Sequence, residues 1–290
     1  MTRPGKPMRV HHLNCGTMCP RGARFINGRG SAFSRARMVC HCLLVETTDG
    51  LALVDTGMGT ADIDEPARRL GRPFVTFFNP LLDREETALA RIEALGFRRH
   101  DVRHLLPTHL DLDHAGGLSD FPDAKVHLYD REYTAALWPR TMNERFRYRA
   151  PQWAHGPKFE VHALKVEPGG GDKWFGFDSV RAVGGTSDEI LIVPLIGHTR
   201  GHSGIAVKTA AGWILHAGDA YFSREEIHGD PRACPPALRA FQTAMQVDGA
   251  ARHANQRRLR ELVRDEGHAV RVFSAHDPDE LEQSLGDAPS

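Results

Sequence analysis

Hydrophobic and polar positions divide the chain into short apolar runs and longer amphipathic ones. Residues Met38 to Glu46 (MVCHCLLVE) are nearly all apolar, the pattern of a strand covered on both faces. Asp49-Gly50 is a tight-turn signal, and Leu51 to Val54 reads as the returning strand, ending in Asp55-Thr56-Gly57. Upstream, Arg9 to Leu13 predicts a short strand that leads into a Gly/Arg-rich loop from Arg21 to Arg35. From Asp83 to Gly96 the residues Leu89, Ile92 and Leu95 share one helical face, and Gly96 is placed to end the helix. Val102 to Leu106 and Ala124 to Leu128 predict strands, and Asp130 is placed as the N-cap of a helix running to Leu137. Arg140 to Lys158 carries aromatics, Arg and Pro without a clear period, as a segment covering a site would.

The second half repeats the alternation. Strands are predicted at Glu189 to Ile196, Gly204 to Lys208 and Trp213 to His216. Helices follow at Pro236 to Met245, with Pro in the first turn, and at Gly249 to Glu266, capped by Asp248 and ended by Gly267. Ala269 to Ala275 is the last strand, and the acidic tail beyond Pro278 is expected to fray. Strand and helix alternate twice with no Gly/Ser linker between. The expectation is therefore one domain over residues 1–290, with a core of about 8–277 in two layered halves.

Composition narrows the function classes. The hydrophobic (41%) and charged (26%) fractions are those of a soluble globular protein. Basic and acidic residues balance at 37 each, so no global field attracts nucleic acid or an anionic membrane. No apolar run approaches the ~18–20 residues of a membrane span. The N-terminus lacks an apolar signal region, so a cytoplasmic protein is expected. The five cysteines are an odd count, which argues against a disulfide framework. Cys40 and Cys42 point the same way on one strand and could pass for half a metal site. Without a second pair, they read as small core residues.

The informative stretch is Thr108-His109-Leu110-Asp111-Leu112-Asp113-His114-Ala115-Gly116-Gly117. His109, Asp111, Asp113 and His114 are four potential metal ligands directly after a predicted strand. While the chain is extended, His109, Asp111 and Asp113 share a face and can converge. Such a charged cluster cannot be buried uncompensated, and a metal compensates it. His11, His12, His41, His104 and His127 lie on strand-like runs without evident partners and read as structural.

The stretch resembles the HxHxDH signature of the metallo-β-lactamase fold, with Asp111 in place of the second His. Leu53-Val54-Asp55-Thr56-Gly57 is similar to that family's early Asp motif, and Gly197-His198-Thr199-Arg200-Gly201-His202 to its GHTxGH element. Gly218-Asp219 resembles its strand-end Asp and Ser274-Ala275-His276 its final His, all in the family's order. The resemblance implies an α/β fold, the four-layer αββα sandwich, and a metal-dependent hydrolase with two divalent ions. Zn is the first expectation, with Mn or Fe as alternatives. Carried over by position, His109, Asp111 and His198 would hold one ion. Asp113, His114 and His276 would hold the other, and Asp219 would bridge them. His202 would then be supporting or structural, and Asp55 would orient the ligand loop by accepting backbone hydrogen bonds.

Asp111 leaves two readings open. A carboxylate oxygen reaches about as far as the nearer ring nitrogen of the His it replaces, so Asp111 can ligate, with a tilt toward the harder Mn or Fe. Alternatively the first site is weak or empty and the enzyme uses one metal. In the dinuclear reading a water bridging the metals loses its proton near neutral pH and attacks a carbonyl, with Asp113 orienting it or shuttling the proton. No G-x-S-x-G element and no phosphate-cradling G-x-x-x-x-G-K-[ST] occurs.

Within the superfamily the closest likeness is to the N-acyl-homoserine lactonase group, through the long segment before the signature and the Pro151 to Gly156 region. That group uses a Tyr three residues after the bridging Asp. Here Tyr221 is two residues after Asp219 and Phe222 stands in its place, so Tyr221 is a candidate catalytic helper or a core aromatic. Phe74, Phe77, Phe78, Trp138, Phe146 and Trp153 could line an acyl pocket. A small-molecule lactone or ester is the expected substrate. The alternatives are a thioester or β-lactam, an iron-dependent dioxygenase, or a non-catalytic binding protein. Thr60 to Leu82 reads as a lid or as the contact of a possible homodimer.

Overall fold

The computed structural model describes residues 8–163, 172–182 and 190–286. Six strands form a first sheet in chain order: β1 (Arg9–Met18), β2 (Met38–Thr47), β3 (Gly50–Val54), β4 (Val102–Leu106), β5 (Lys125–Tyr129) and β6 (Lys158–His162). The second contains β7 (Asp172–Trp174), β8 (Phe177–Ala182), β9 (Ile190–Pro194), β10 (Ser203–Thr209), β11 (Gly212–His216) and β12 (Val270–Phe273). Its spatial order is β12-β11-β10-β9-β8-β7.

Three apolar clusters separate four layers. Along β2 the side chains alternate as a doubly covered strand requires: Cys42 and Leu44 join the cluster beneath the first set of helices, while Leu43 and Val45 face the second sheet. The cluster between the sheets also takes Leu106 from β4 and Ile192, Ile205 and Phe273 from the second sheet. Ala88, Ile92 and Ala135 close the first sheet from outside, and Leu259 and Leu262 close the second. This is the four-layer αββα arrangement expected from the sequence.

Parallel pairing decides where the functional loops go. β3 and β4 are parallel, as are β11 and β12, so the loops that follow these strands leave from one rim. Backbone hydrogen bonds stitch the sheets together: Ser203 N–H donates to Thr108 O at 2.9 Å, and His41 N–H to Ala275 O at 2.9 Å.

Several boundaries differ from expectation. β1 runs on to Met18, because a bulge between Asn14 and Thr17 lets it stay paired with the whole apolar run of β2. The helix expected over Asp83 to Gly96 splits into a 3₁₀ turn, Arg84–Glu86, and a helix, Ala88–Ala94. Asp83 caps the first through Glu85 N–H and Thr87 caps the second through Ala90 N–H. The helix at Asp130–Leu137 starts at Asp130 itself, with Tyr129 in the cap position. Asp248 caps Gly249–Glu266 through Ala251 N–H, as expected. The tail does not fray at Pro278. Pro278–Gly286 is a helix with Leu281 buried, started by Asp277 accepting from the N–H groups of Asp279 and Glu280. Glu189, the expected start of β9, lies outside the described residues. Among the described residues no helix is long and apolar enough to cross a membrane.

Candidate metal centre

The site is built on a buried carboxylate. Asp55 ends β3 in the left-handed region, at φ 54°, and is 2% exposed. Its oxygens accept from Thr108 N–H at 2.7 Å and from the Thr108 hydroxyl, and lie 2.8 Å from His114 Nδ1. Burial pushes this carboxyl up, but the adjacent His114 outweighs it and holds the pKa at about 2. Asp55 thereby fixes both ends of the loop that follows β4. A second buried carboxylate, Glu132, ties that loop to the β9–β10 connection. It accepts from Leu110 N–H at 2.9 Å, from the Thr199 hydroxyl at 2.6 Å and from Gly201 N–H at 3.2 Å. Gly201 has to be glycine here, since a Cβ would lie 2.0 Å from the backbone nitrogen of Glu132.

With the loops so held, the seven expected ligands meet at one place. His198 Nε2 and His109 Nε2 lie 3.0 and 3.4 Å from Asp111 Oδ2, and 3.3 and 3.8 Å from Asp219 Oδ2. On the other side, His114 Nε2 and His276 Nε2 are each 3.2 Å from Asp219 Oδ1. Asp113 lies 4.0 Å from the first of these and 3.6 Å from the second. Asp219 thus shows one oxygen to each of two donor sets.

The donor set fits two metal ions. Donors bonded tetrahedrally at ~2.0–2.2 Å stand ~3.3–3.6 Å apart, and the distances here, from 3.0 to 4.0 Å, scatter around that spacing. His109 Nε2 and Asp219 Oδ1 are buried without a hydrogen-bond partner, as atoms aimed at an ion would be. The outer nitrogens of three rings are held from behind: His276 Nδ1 lies 2.8 Å from Val39 O, His109 Nδ1 3.0 Å from the Thr108 hydroxyl and His114 Nδ1 2.8 Å from Asp55, while His198 Nδ1 is buried without a hydrogen-bond partner. Burial opposes charge on His114 and His276, yet Asp219, helped by Asp55 at His114, raises both above the ordinary histidine value. His198 goes the other way, to about 4, because burial is joined by the positive charge of Arg147.

His202 is a support. Its Nε2 accepts from Asp219 N–H at 2.9 Å and its Nδ1 lies 2.9 Å from Leu195 O, so it sets the bridging loop from beneath. Of the two readings of Tyr221, its placement is that of a core aromatic. It is fully buried in the cluster under the second set of helices and its hydroxyl donates to Glu280 at 2.8 Å, away from the donor atoms. A one-residue offset along the chain swaps it with Phe222, whose ring stacks on His276 with centroids 5.1 Å apart.

Sequence reasoning missed three groups. Cys40, read as core, places its sulfur within 4.8 Å of ligand atoms of Asp113 and His276, which alternation along β2 could have suggested. Glu132 carried no signal, since it stands on a helix remote in sequence from both loops it ties. Arg147 was hidden in the aperiodic segment 140–158. It is 2% exposed, with Nη1 donating to His198 O at 2.9 Å and Nη2 to Met245 O at 2.6 Å. The histidines read as unpartnered are in fact paired: His12 with His41 at 2.8 Å, His104 with His127 at 2.8 Å, His127 with His162 at 3.1 Å, and His11 with Glu46.

Above the donor atoms opens a cavity of about 340 Å³. Asp111, Asp113, His198, Asp219 and His276 face it from one side, and Phe74, Phe77, Phe78, Phe146 and Phe222 from the other. Of the expected pocket aromatics, Trp138 is 65% exposed and Trp153 packs against the first outer cluster, so neither lines it. Segment 60–82 forms short helices, Thr60–Asp64, Ala67–Gly71 and Arg72–Phe78, and apolar side chains of the last two, Leu70, Phe74, Phe77 and Phe78 among them, roof the cavity.

Comparison with known proteins bears on the family and the fold. The profile of the metallo-beta-lactamase superfamily matches residues 35–276. A probable metallo-hydrolase of Mycobacterium tuberculosis is 42% identical over 275 residues, covering 95% of this chain and 82% of the relative. An N-acyl homoserine lactonase of Bacillus cereus is 24% identical over 246 residues, covering 84% of this chain and 82% of its own. Among solved structures, an N-acyl homoserine lactone hydrolase with the product N-hexanoyl-L-homoserine at its catalytic metal centre superposes with a TM-score of 0.66. It is 21% identical, with 96% of each chain covered. The dizinc quorum-quenching lactonase AidC superposes with a TM-score of 0.63 at 18% identity, covering 96% of this chain and 90% of that one.

Proposed function

The chain belongs to the metallo-beta-lactamase superfamily, and on that premise we propose that it is a dinuclear metal-dependent hydrolase opening a lactone or ester with an apolar acyl group. The observation that carries this reading is Asp219, whose two oxygens face two separate donor sets. His109, Asp111 and His198 would hold one divalent ion, and Asp113, His114 and His276 the other. Zinc is the first expectation, and the extra carboxylate admits manganese or iron. Two such ions supply Lewis acidity, bringing the pKa of water toward neutrality and polarising a carbonyl.

The protein's own residues do the remaining work. Asp113 is the most exposed of the three ligand carboxylates, at 12%, and faces the cavity, where it can orient the attacking water or carry its proton. The phenylalanine-rich wall excludes bulk water and offers apolar surface to an acyl chain, at about 25 cal/mol per Å² buried. The lactonase relatives, and the acyl product bound in the structural neighbour, support this substrate class.

The test is turnover of acyl lactones of increasing chain length by metal-loaded protein. Rates should rise with chain length until the cavity is filled. No turnover anywhere in the series would end the lactone reading, and cleavage of a glutathione thioester or of nitrocefin instead would move the substrate class within the same fold.

A further inference from the structure

Two unusual features of the site lie side by side. Asp111 occupies the signature position at which the resembled family carries a neutral histidine, so the donor set gains one negative charge. Arg147, from the helix Met142–Arg147, brings a buried positive charge to the same spot, its Nε 3.5 Å from Asp111 Oδ1. The contact is an ion pair between one atom of each group. Arg147 Nη1 and Nη2 are spent on the carbonyls of His198 and Met245, on two separate elements. Its Nε has no hydrogen-bond partner, and neither has Asp111 Oδ1, although both are buried. The other oxygen, Oδ2, is the one that faces His109 and His198.

We propose that Arg147 is a positioning residue that makes Asp111 serve in place of a neutral histidine: it turns Oδ1 away from the donor set, leaves Oδ2 as the ligand atom, and cancels the added charge. The inference rests on the dinuclear reading above. Charge counting shows the consequence. Two divalent ions against Asp111, Asp113 and Asp219 leave one net positive charge, and Arg147 restores the two positive charges of a site with a histidine at position 111. Lewis acidity otherwise lost to a third carboxylate is thereby recovered. Without a partner, either Asp111 or Arg147 would be a buried charge uncompensated on one side, so each makes the other tolerable.

A double-mutant cycle tests this, with Asp111→His, Arg147→Met and the two combined. Metal content is measured by elemental analysis after purification, and thermal unfolding is followed on metal-stripped protein. Asp111→His alone should fall from two metals per chain to one, because the guanidinium then faces the vacated charge. Arg147→Met alone should also lose first-site metal, because the carboxylate is no longer held. The combination should return to two metals and recover most of the unfolding temperature lost by either single variant. Arg147→Lys keeps the charge but not the two-carbonyl anchor, so it should retain metal better than Arg147→Met and worse than wild type. A double variant no better than the worse single variant would overturn the proposal, as would Asp111→His holding two metals at wild-type stability. The unfolding data read the pair without metal. Fewer than two metals in wild type would therefore sink the dinuclear reading while still showing whether the two residues are coupled.

Discussion

Among the described residues, two groups of buried and half-buried histidines differ in what faces them. His109, His114, His198 and His276 surround Asp219, with Asp111, Asp113 and Asp55 at their margins. His12 with His41, and His104 with His127 and His162, face one another along neighbouring strands. Among the described residues, the carboxylate nearest the second group, Glu160, has a side chain 36% exposed and is paired with Lys125. In that group burial dominates: His127 is driven down to about 3 and His12 to about 4, and His41 and His104 are lowered too, so these four rings are neutral and each pair shares one N–H. In the first group the carboxylates reverse the sign at His114 and His276. A buried histidine therefore says little about chemistry until the charge opposite it is known. A partner ring lets it stay neutral, and a shared carboxylate gives it the setting of a candidate ligand.

The strongest way to break this contrast is to remove the shared carboxylate. Asp219→Asn keeps the shape but should release both ions and cost on the order of 10³-fold in turnover, seen as metal content below one per chain. A variant retaining both ions would show that Asp219 is not the bridge. Next comes the carboxylate that ties the loops. Glu132→Gln places an NH₂ group against donors, and should weaken metal affinity by ~10–100-fold with the fold intact, measurable by competition with a chelator. An unchanged affinity would leave the two loops independent of Glu132.

The second group is probed by pH. The folded pKa of His127 lies far below the unfolded value of 6.5, so the unfolded chain takes up the proton first as pH falls. Its contribution to stability is present above pH 6.5 and is lost as pH falls toward 3, amounting to about 2 kcal/mol between pH 7 and pH 5. His127→Leu should flatten this part of the profile in denaturant titrations while leaving metal content unchanged. Loss of metal in that variant would merge the two groups. The smallest effect is expected at Tyr221→Phe, which removes the hydroxyl on Glu280. Stability should drop by about 1–2 kcal/mol with turnover unchanged, and a large fall in turnover would return Tyr221 to the chemistry.

Much of the centre was legible because its ligands lie at strand ends, where short motifs mark them. His109, Asp111, Asp113 and His114 fall within six residues, and His198, Asp219 and His276 each follow a strand run. The helices at 236–245 and 249–266 were equally clear, since Pro and Asp248 mark their starts. Asp83 to Gly96 was misjudged because two successive caps, Asp83 and Thr87, sit inside one amphipathic pattern. The tail was misjudged because its acidic surface hid Leu281 and the cap at Asp277.

By itself, then, the sequence determined the layers and the donors: periodicity sets which faces are buried, and strand-end motifs set which side chains reach the rim. Only the tertiary structure decided the partners. Glu132 lies 67 residues from Thr199 in the chain, and the Arg147 hydrogen bond to His198 spans 51 residues. Such pairings leave no local signature, because their stabilisation comes from a charge or hydrogen bond met across the fold. Tyr221 and Phe222 show the same limit at one-residue scale. Either could face the metal centre from sequence alone, and packing against Glu280 on one side and His276 on the other settled which one does.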